Sequence, residues 1–137
     1  MPAIAYVINL KRRTDRLAEF HSNFPKKAHA IHVFEAVDGI NNSLHESYFS
    51  GKLSRGEKGC AMSHFILWNR FCMDPDNDVM IVMEDDIFFF DNYKRHIQSV
   101  LNYVGSRLQH PDVVYFSGKE LENIQGKNHK KLVCERT

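Results

Sequence analysis

Val79-Met80-Ile81-Val82-Met83-Glu84-Asp85-Asp86 is the stretch on which the fold turns. Its five apolar residues are rich in β-branched side chains and read as a central strand buried on both faces. Side chains alternate along a strand, so Glu84 and Asp86 are expected on one face and Asp85 on the other. Two ionised carboxylates about 4 Å apart repel by roughly 4 kcal/mol at an effective dielectric near 20. A proton, a basic partner or a divalent cation relieves that repulsion. Hard cations such as Mg²⁺ and Mn²⁺ favour carboxylate and phosphate oxygens, so the motif points to a metal–phosphate site at a strand end. The same three residues also suit a turn, a helix cap or a salt bridge, and the pattern alone does not choose among these.

Upstream of that strand, Ser54-Arg55-Gly56-Glu57 has the spacing of a capping box. The helix it opens carries Cys60, His64, Leu67, Trp68 and Phe71 on one face, and Pro75 and Asn77 mark its exit. Ala3 to Asn9 reads as a first strand. Thr14 is suited to cap a helix with Leu17, Phe20 and Phe24 on its apolar face, which Pro25 stops. Ala30 to Phe34 reads as a second strand, and Asp38 to Ser43 as loop. Beyond the acidic cluster, Asp91 or Asn92 caps a third helix through Ile97, Val100, Leu101, Val104 and Leu108, followed by a strand over Asp112 to Phe116. Alternating strands and helices predict an α/β fold, a mostly parallel sheet flanked by helices. Ligands bind such sheets at the carboxyl ends of the strands. Asn9-Leu10-Lys11-Arg12-Arg13 and Glu84-Asp85-Asp86 both fall there. Residues 1–118 are expected to form the domain, and 119–137 a polar terminal segment.

The 43% hydrophobic and 26% charged residues describe an ordinary globular chain. A formal net charge of +1 speaks against a dedicated nucleic-acid binder. Cys60, Cys72 and Cys134 are odd in number and lack CxxC spacing, which speaks against a disulfide framework or a zinc site and favours a reducing compartment. No apolar run approaches the roughly 18 residues of a membrane span. The charges Lys11-Arg12-Arg13 follow the first apolar run instead of preceding it, unlike a signal peptide. A cytoplasmic location is expected.

Four blocks, in order, carry a resemblance: Tyr6-Val7-Ile8-Asn9-Leu10-Lys11-Arg12-Arg13-Thr14-Asp15-Arg16, Phe34-Glu35-Ala36-Val37-Asp38-Gly39, Gly56-Glu57-Lys58-Gly59-Cys60-Ala61-Met62-Ser63-His64 with Trp68, and Glu84-Asp85-Asp86. From about residue 4 to 117 the chain resembles the family-25 glycosyltransferases, a group with lipo-oligosaccharide and procollagen galactosyltransferases. The resemblance implies a GT-A-like, Rossmann-like domain that takes a sugar, usually galactose, from a UDP-sugar with Mn²⁺ or Mg²⁺. Glu84-Asp85-Asp86 stands where such enzymes carry D-x-D, with Glu in the first place. By that match Asp86 ligates the metal, and Glu84 binds ribose or a metal-bound water. Asn9, Arg13, Arg16 and Asp38 would line the nucleotide pocket, although Lys11, Arg12 and Arg13 also suit a solvated basic loop and Asp38 an Asx turn. Gly59 would let a ligand approach a helix N-terminus, with Ser63 and His64 one turn on. Cys60, Trp68 and Phe71 are read as core.

The same likeness implies an acceptor-binding half beyond the acidic strand, and most of it is expected to be missing here or compressed into 119–137. No catalytic base is assigned. Under the enzyme reading the acceptor is a glycan of the lipo-oligosaccharide kind, lipid-linked, at the inner membrane face, with homo-oligomers covering an incomplete sheet. A second reading keeps donor binding without efficient transfer. A phosphoryl-transfer or receiver-type domain is a weaker third, because such domains place their main acidic residues after the first strand.

Overall fold

The computed structural model describes residues 2–24, 30–41, 48–49, 51–87, 93–106 and 113–114. Three parallel strands, β1 (Ala3–Asn9), β2 (Ile31–Glu35) and β3 (Val79–Glu84), form a sheet in the order β2-β1-β3. Helix α1 (Thr14–Asn23) links β1 to β2, and α2 (Arg55–Cys72) lies between β2 and β3 in the chain. This is the expected α/β architecture. Register pairs Asn9 with Glu35 and Ile8 with Glu84, so all three carboxyl ends open on one edge.

Strand alternation divides the core between the two sheet faces. On one face Ala5, Val7 and Met83 pack with Phe20 and Phe24, and Leu17, Ile31, Ile81 and Ile87 close around them. On the other Ile8 and Phe34 pack with Leu67, flanked by Tyr6, Met80, Val82 and Ile66. Helix α1 therefore covers one side and α2 the other. Phe20 and Leu67, at 1% and 0% exposure, anchor the two layers. Each fully buried side chain of this size contributes about 1.5–3 kcal/mol.

Several sequence expectations need correction. Among the described residues β1 holds the centre of the sheet, with Val7, Ile8 and Asn9 buried in succession, whereas β3 lies at its edge and only Met83 is buried. An apolar run does not reveal its place in a sheet, because helix packing on an edge strand selects the same residues. Thr14 is the first helical residue of α1, and Arg13 occupies the cap without a side-chain bond. Phe24, before Pro25, is extended at φ −91° and ψ 117°, as the proline ring requires of its predecessor. The capping box of α2 is present: Glu57 N donates to Ser54 Oγ (3.2 Å) and Ser54 N to Glu57 Oε2 (2.7 Å). Its buried stripe, however, is Gly59, Ser63 and Leu67; Trp68 is 40% exposed and Cys60 half-buried.

The chain divides into two compact units, Met1–Lys94 and Arg95–Thr137. Helix α3 (Tyr93–Gly105) presents half-buried Ile97, Val100, Leu101 and Val104 at helical spacing. Val113 and Val114 are not in a strand; the rest of the Asp112–Phe116 segment, like Leu108 and residues 119–137, lies outside the described residues. No described helix is long and apolar enough to cross a membrane.

Candidate functional site

The carboxyl edge is built around Asn9, the last residue of β1 and 5% exposed. A buried amide needs its hydrogen bonds satisfied. Asn9 Nδ2 donates to the Arg13 carbonyl (3.0 Å) and to Asp85 Oδ2 (2.8 Å), tying the loop after β1 to the residue after β3. Asp85 is nearly buried, and Arg16 on α1 faces it at 3.4 Å while reaching Asp86 at 3.3 Å. Both contacts exceed the 2.7–2.9 Å usual for a charge-assisted bond.

Glu84 points to the opposite face, as alternation predicts for a neighbour of Asp85. His64 Nε2 lies 3.3 Å from Glu84 Oε1, and Cys60 Sγ donates to the same oxygen at 3.4 Å. The bond with His64 holds the Glu84 carboxyl below its ordinary range, against the effect of burial. Burial first, and then the Glu84 charge, push the Cys60 thiol up to about 11. Asp86 also raises Cys60, and Arg16 also lowers Glu84, so both faces of the strand end share one electrostatic field. The expected common face of Glu84 and Asp86 is not maintained. The strand ends at Glu84, Ile87 N turns back to the Glu84 carbonyl (3.4 Å), and Asp86 swings toward Arg16.

A second group stands at the ends of β1 and β2. Arg12 Nε donates to Asp38 Oδ2 at 2.8 Å. Asp38 also closes an Asx turn, accepting from Ile40 N (3.1 Å), while Asn41 Nδ2 donates to its Oδ2 (2.8 Å). The Arg12 bond first, and then the backbone amides of Ile40 and Asn41, hold the Asp38 carboxyl down to about 2 against the effect of burial. Ser63 fixes this loop from below. Its Oγ, fully buried, donates to the Gly59 carbonyl and accepts from Val37 N, both at 2.8 Å. A side chain at Gly59 would strike the Val37 carbonyl and Gly39, and one at Gly39 would strike the Arg55 carbonyl. Both glycines thus let the loop cross the first turns of α2, and the close approach at Gly59 is made by the chain itself.

The structure therefore gathers Asn9, Arg16, Glu84 and Asp86 at one strand edge, with His64 beside Glu84. Asp38 stands with Arg12, Ser63 and Gly59 hold its loop, and the Arg13 side chain turns to Asp15 (2.8 Å) instead. Arg12, read as solvated loop, and Cys60, read as core, are the residues the sequence did not single out, whereas Asp85 takes its supporting place opposite Glu84. Arg12 and Asp38 each stand three residues past the ends of strands that pair, a symmetry visible once β1 and β2 are adjacent. Cys60 and His64 are four apart on a helix, and this spacing was legible. A cavity of about 130 Å³ lined by Arg16, Phe20, Asp85, Asp86 and Ile87 opens beside the acidic turn. It is smaller than the ~300–1,000 Å³ of drug-sized ligand sites.

The donor chemistry fits a divalent cation. Asp85 and Asp86 share the one guanidinium of Arg16, and Glu84 faces His64 on the other side. Glu84 and Asp86 have half-exposed side chains, 48% and 54%, whereas Asp85 is enclosed. Accessible carboxylate oxygens suit Mg²⁺ or Mn²⁺.

The profile described as glycosyltransferase family 25 (LPS biosynthesis protein) matches residues 3–134. A glycosyltransferase 25 family member of Aedes aegypti is 30% identical across 85% of this chain and 21% of its own length. Procollagen galactosyltransferase 2 of Mus musculus is 28% identical over the same shares, 85% and 21%. The procollagen lysyl hydroxylase and glycosyltransferase of Acanthamoeba polyphaga mimivirus is 37% identical across 85% of this chain and 15% of its own. The chain thus spans about a fifth or less of the length of these relatives. With matching blocks over nearly its whole length, the chain belongs to glycosyltransferase family 25.

Proposed function

We propose that this chain forms the donor side of a metal-dependent glycosyltransferase that takes galactose from UDP-galactose. The observation that carries the proposal is the excess of accessible carboxylate at the carboxyl edge of a parallel sheet, beside an arginine held only by long contacts. Asp86 would hold the cation, which when bound supplies Lewis-acid stabilisation of the leaving diphosphate, and Glu84, on the other face of the strand end, would meet the ribose or a metal-bound water. Arg16 sits where its guanidinium can turn from Asp86 to a phosphate oxygen, for which its forked donors are suited. Asn9 and Asp85 set the geometry of that strand edge. Arg12 and Asp38 would meet the uridine, on a loop positioned by Ser63 and Gly59.

The galactosyltransferase name belongs to relatives, and galactose is carried to this chain on that likeness. A glycan acceptor, lipid-linked at the cytoplasmic face of the inner membrane, and a homo-oligomeric state are part of the same proposal. The test is Mn²⁺ calorimetry with and without UDP, on the wild type and Asp86→Asn, together with melting in UDP, GDP and ADP. UDP is expected to raise both Mn²⁺ affinity and melting temperature, since a ligand of the folded state stabilises by about 2.7 kcal/mol at a hundredfold excess over Kd. Equal Mn²⁺ affinity in both proteins refutes the cation site, and no preference among nucleotides refutes the uridine pocket. Release of UDP from UDP-galactose without dependence on a glycan acceptor would reduce the proposal to donor binding.

A further inference from the structure

We propose that Cys60, His64 and Glu84 form a binding site for a borderline divalent cation of the zinc class. The three side chains each offer a ligand atom, and these atoms all lie within 4.8 Å of one another. The separations are specific: Cys60 Sγ to Glu84 Oε1 is 3.4 Å, and His64 Nε2 to the same oxygen is 3.3 Å. Zinc binds thiolate sulfur at about 2.3 Å, imidazole nitrogen at about 2.0–2.1 Å and carboxylate oxygen at about 2.0–2.2 Å in a tetrahedron. The sulfur–oxygen and nitrogen–oxygen edges of such a tetrahedron are then about 3.6 and 3.4 Å. The two observed distances differ from these edges by about 0.2 Å or less, so little movement would bring the three groups onto one ion.

Rigid elements carry all three ligands. Cys60 and His64 are four residues apart on α2, so their side chains lie on one face. The preceding residues, Gly59 and Ser63, are in the buried stripe that locks this part of the helix to the Val37–Gly39 loop. Glu84 is the last residue of β3. An ion has access, because His64 and Glu84 keep 27% and 48% of their side chains exposed. Three protein ligands and an accessible fourth position are the arrangement of a zinc site that keeps water or another ligand. Sulfur and imidazole nitrogen favour Zn²⁺ and Co²⁺ over Mg²⁺ and Mn²⁺, which separates this site in chemistry from the carboxylate site at Asp86. Binding expels the thiol proton to solvent and leaves a Cys60 thiolate on the metal. The absence of CxxC spacing hid the site in the sequence, because its third ligand comes from a strand twenty residues beyond the helix pair.

Co²⁺ titration of the full chain without nucleotide tests the proposal. Wild type is expected to develop a thiolate-to-cobalt charge-transfer band and strong four-coordinate d–d absorption. Zn²⁺ should abolish both, and excess Mg²⁺ should not. Cys60→Ser should lose the charge-transfer band. His64→Gln and Glu84→Gln should weaken Co²⁺ binding by at least the 10–100-fold that loss of an outer-shell partner costs. Cys72→Ser, at an exposed cysteine, should keep the wild-type spectrum. Circular dichroism checks each fold, and His64→Gln, at a partly exposed side chain outside the carboxylate site, decides the matter if Cys60→Ser does not fold. No charge-transfer band in wild type, the same band in Cys60→Ser, or unchanged Co²⁺ affinity in Glu84→Gln overturns the proposal. Because no nucleotide is present, the result is independent of whether the chain binds UDP.

Discussion

Ser63→Ala tests the link between the buried stripe of α2 and the loop that presents Asp38. Ser63 is fully buried, and its Oγ is a 2.8 Å acceptor for Val37 N. Alanine removes the oxygen and leaves that amide without this acceptor, which costs about 1–3 kcal/mol where water does not replace it. The bond from Ser63 Oγ to the Gly59 carbonyl matters less, because that carbonyl is already in reach of the helix ladder. Alanine is also the better helix former, returning at most about 0.7 kcal/mol. The expected net loss is therefore about 1–2 kcal/mol, a substantial part of the 5–15 kcal/mol that stabilises a typical domain. Urea unfolding should show a lower midpoint at unchanged slope, since little surface changes. Each kcal/mol should lower the melting temperature by about 4 °C at this chain length. A midpoint shift equivalent to less than about 0.3 kcal/mol would refute the reasoning, because it would mean that Val37 N finds another partner at no cost.

Leu67→Ala, at a side chain with 0% exposure, should cost about 2–5 kcal/mol in the same urea assay; a loss below 1 kcal/mol would deny that α2 is anchored there. Gly59→Ala places a methyl group against the Val37 carbonyl and Gly39 backbone, and is expected to destabilise by about 1–3 kcal/mol, where a neutral or stabilising result would refute the crossing. Asp38 is held down to about 2 when folded, against about 3.9 in an unfolded chain, so its contribution is complete above about pH 4 and is lost as pH falls toward 2. Arg12→Ala should flatten stability across that window, and an unchanged acid limb measured by urea unfolding at successive pH values would contradict the Arg12–Asp38 pair.

Helical and strand periodicity made most of the fold legible. The capping box fixed the start of α2 because two hydrogen bonds define it within four residues. Position in the sheet was not legible: β3 reads as apolar as β1, and only pairing reveals that β1 is central among the described strands. The buried stripe of α2 was misread because Gly59 and Ser63 are not hydrophobic. They are buried to bring a loop close and to satisfy its amide, which no apolar pattern records. At the site, Glu84 and Asp85 took opposite faces as strand geometry requires, whereas Asp86 did not rejoin Glu84. Alternation holds only while the strand lasts, and a turn begins at Asp85.

The three consecutive carboxylates consequently have three different roles. Asp85 has the least solvent, and a buried carboxylate is tolerable only with donors around it. Asn9 and Arg16 provide those donors, so Asp85 joins β1, α1 and β3 at the edge. That fixed anion also explains why Arg16 reaches Asp86 only at 3.3 Å: one guanidinium is stretched between two acids. Glu84, on the other face, has Cys60 and His64 as partners, and the bond with His64 does most to lower its pKa. The fold thus uses one acid to hold itself together and keeps two near solvent, each held only at 3.3 Å by Arg16 or His64. A purely structural cluster would hold each acid at a short charge-assisted distance, as Arg12 holds Asp38 at 2.8 Å on the same edge. These two loosely held acids are the feature that a cation and a diphosphate would complete.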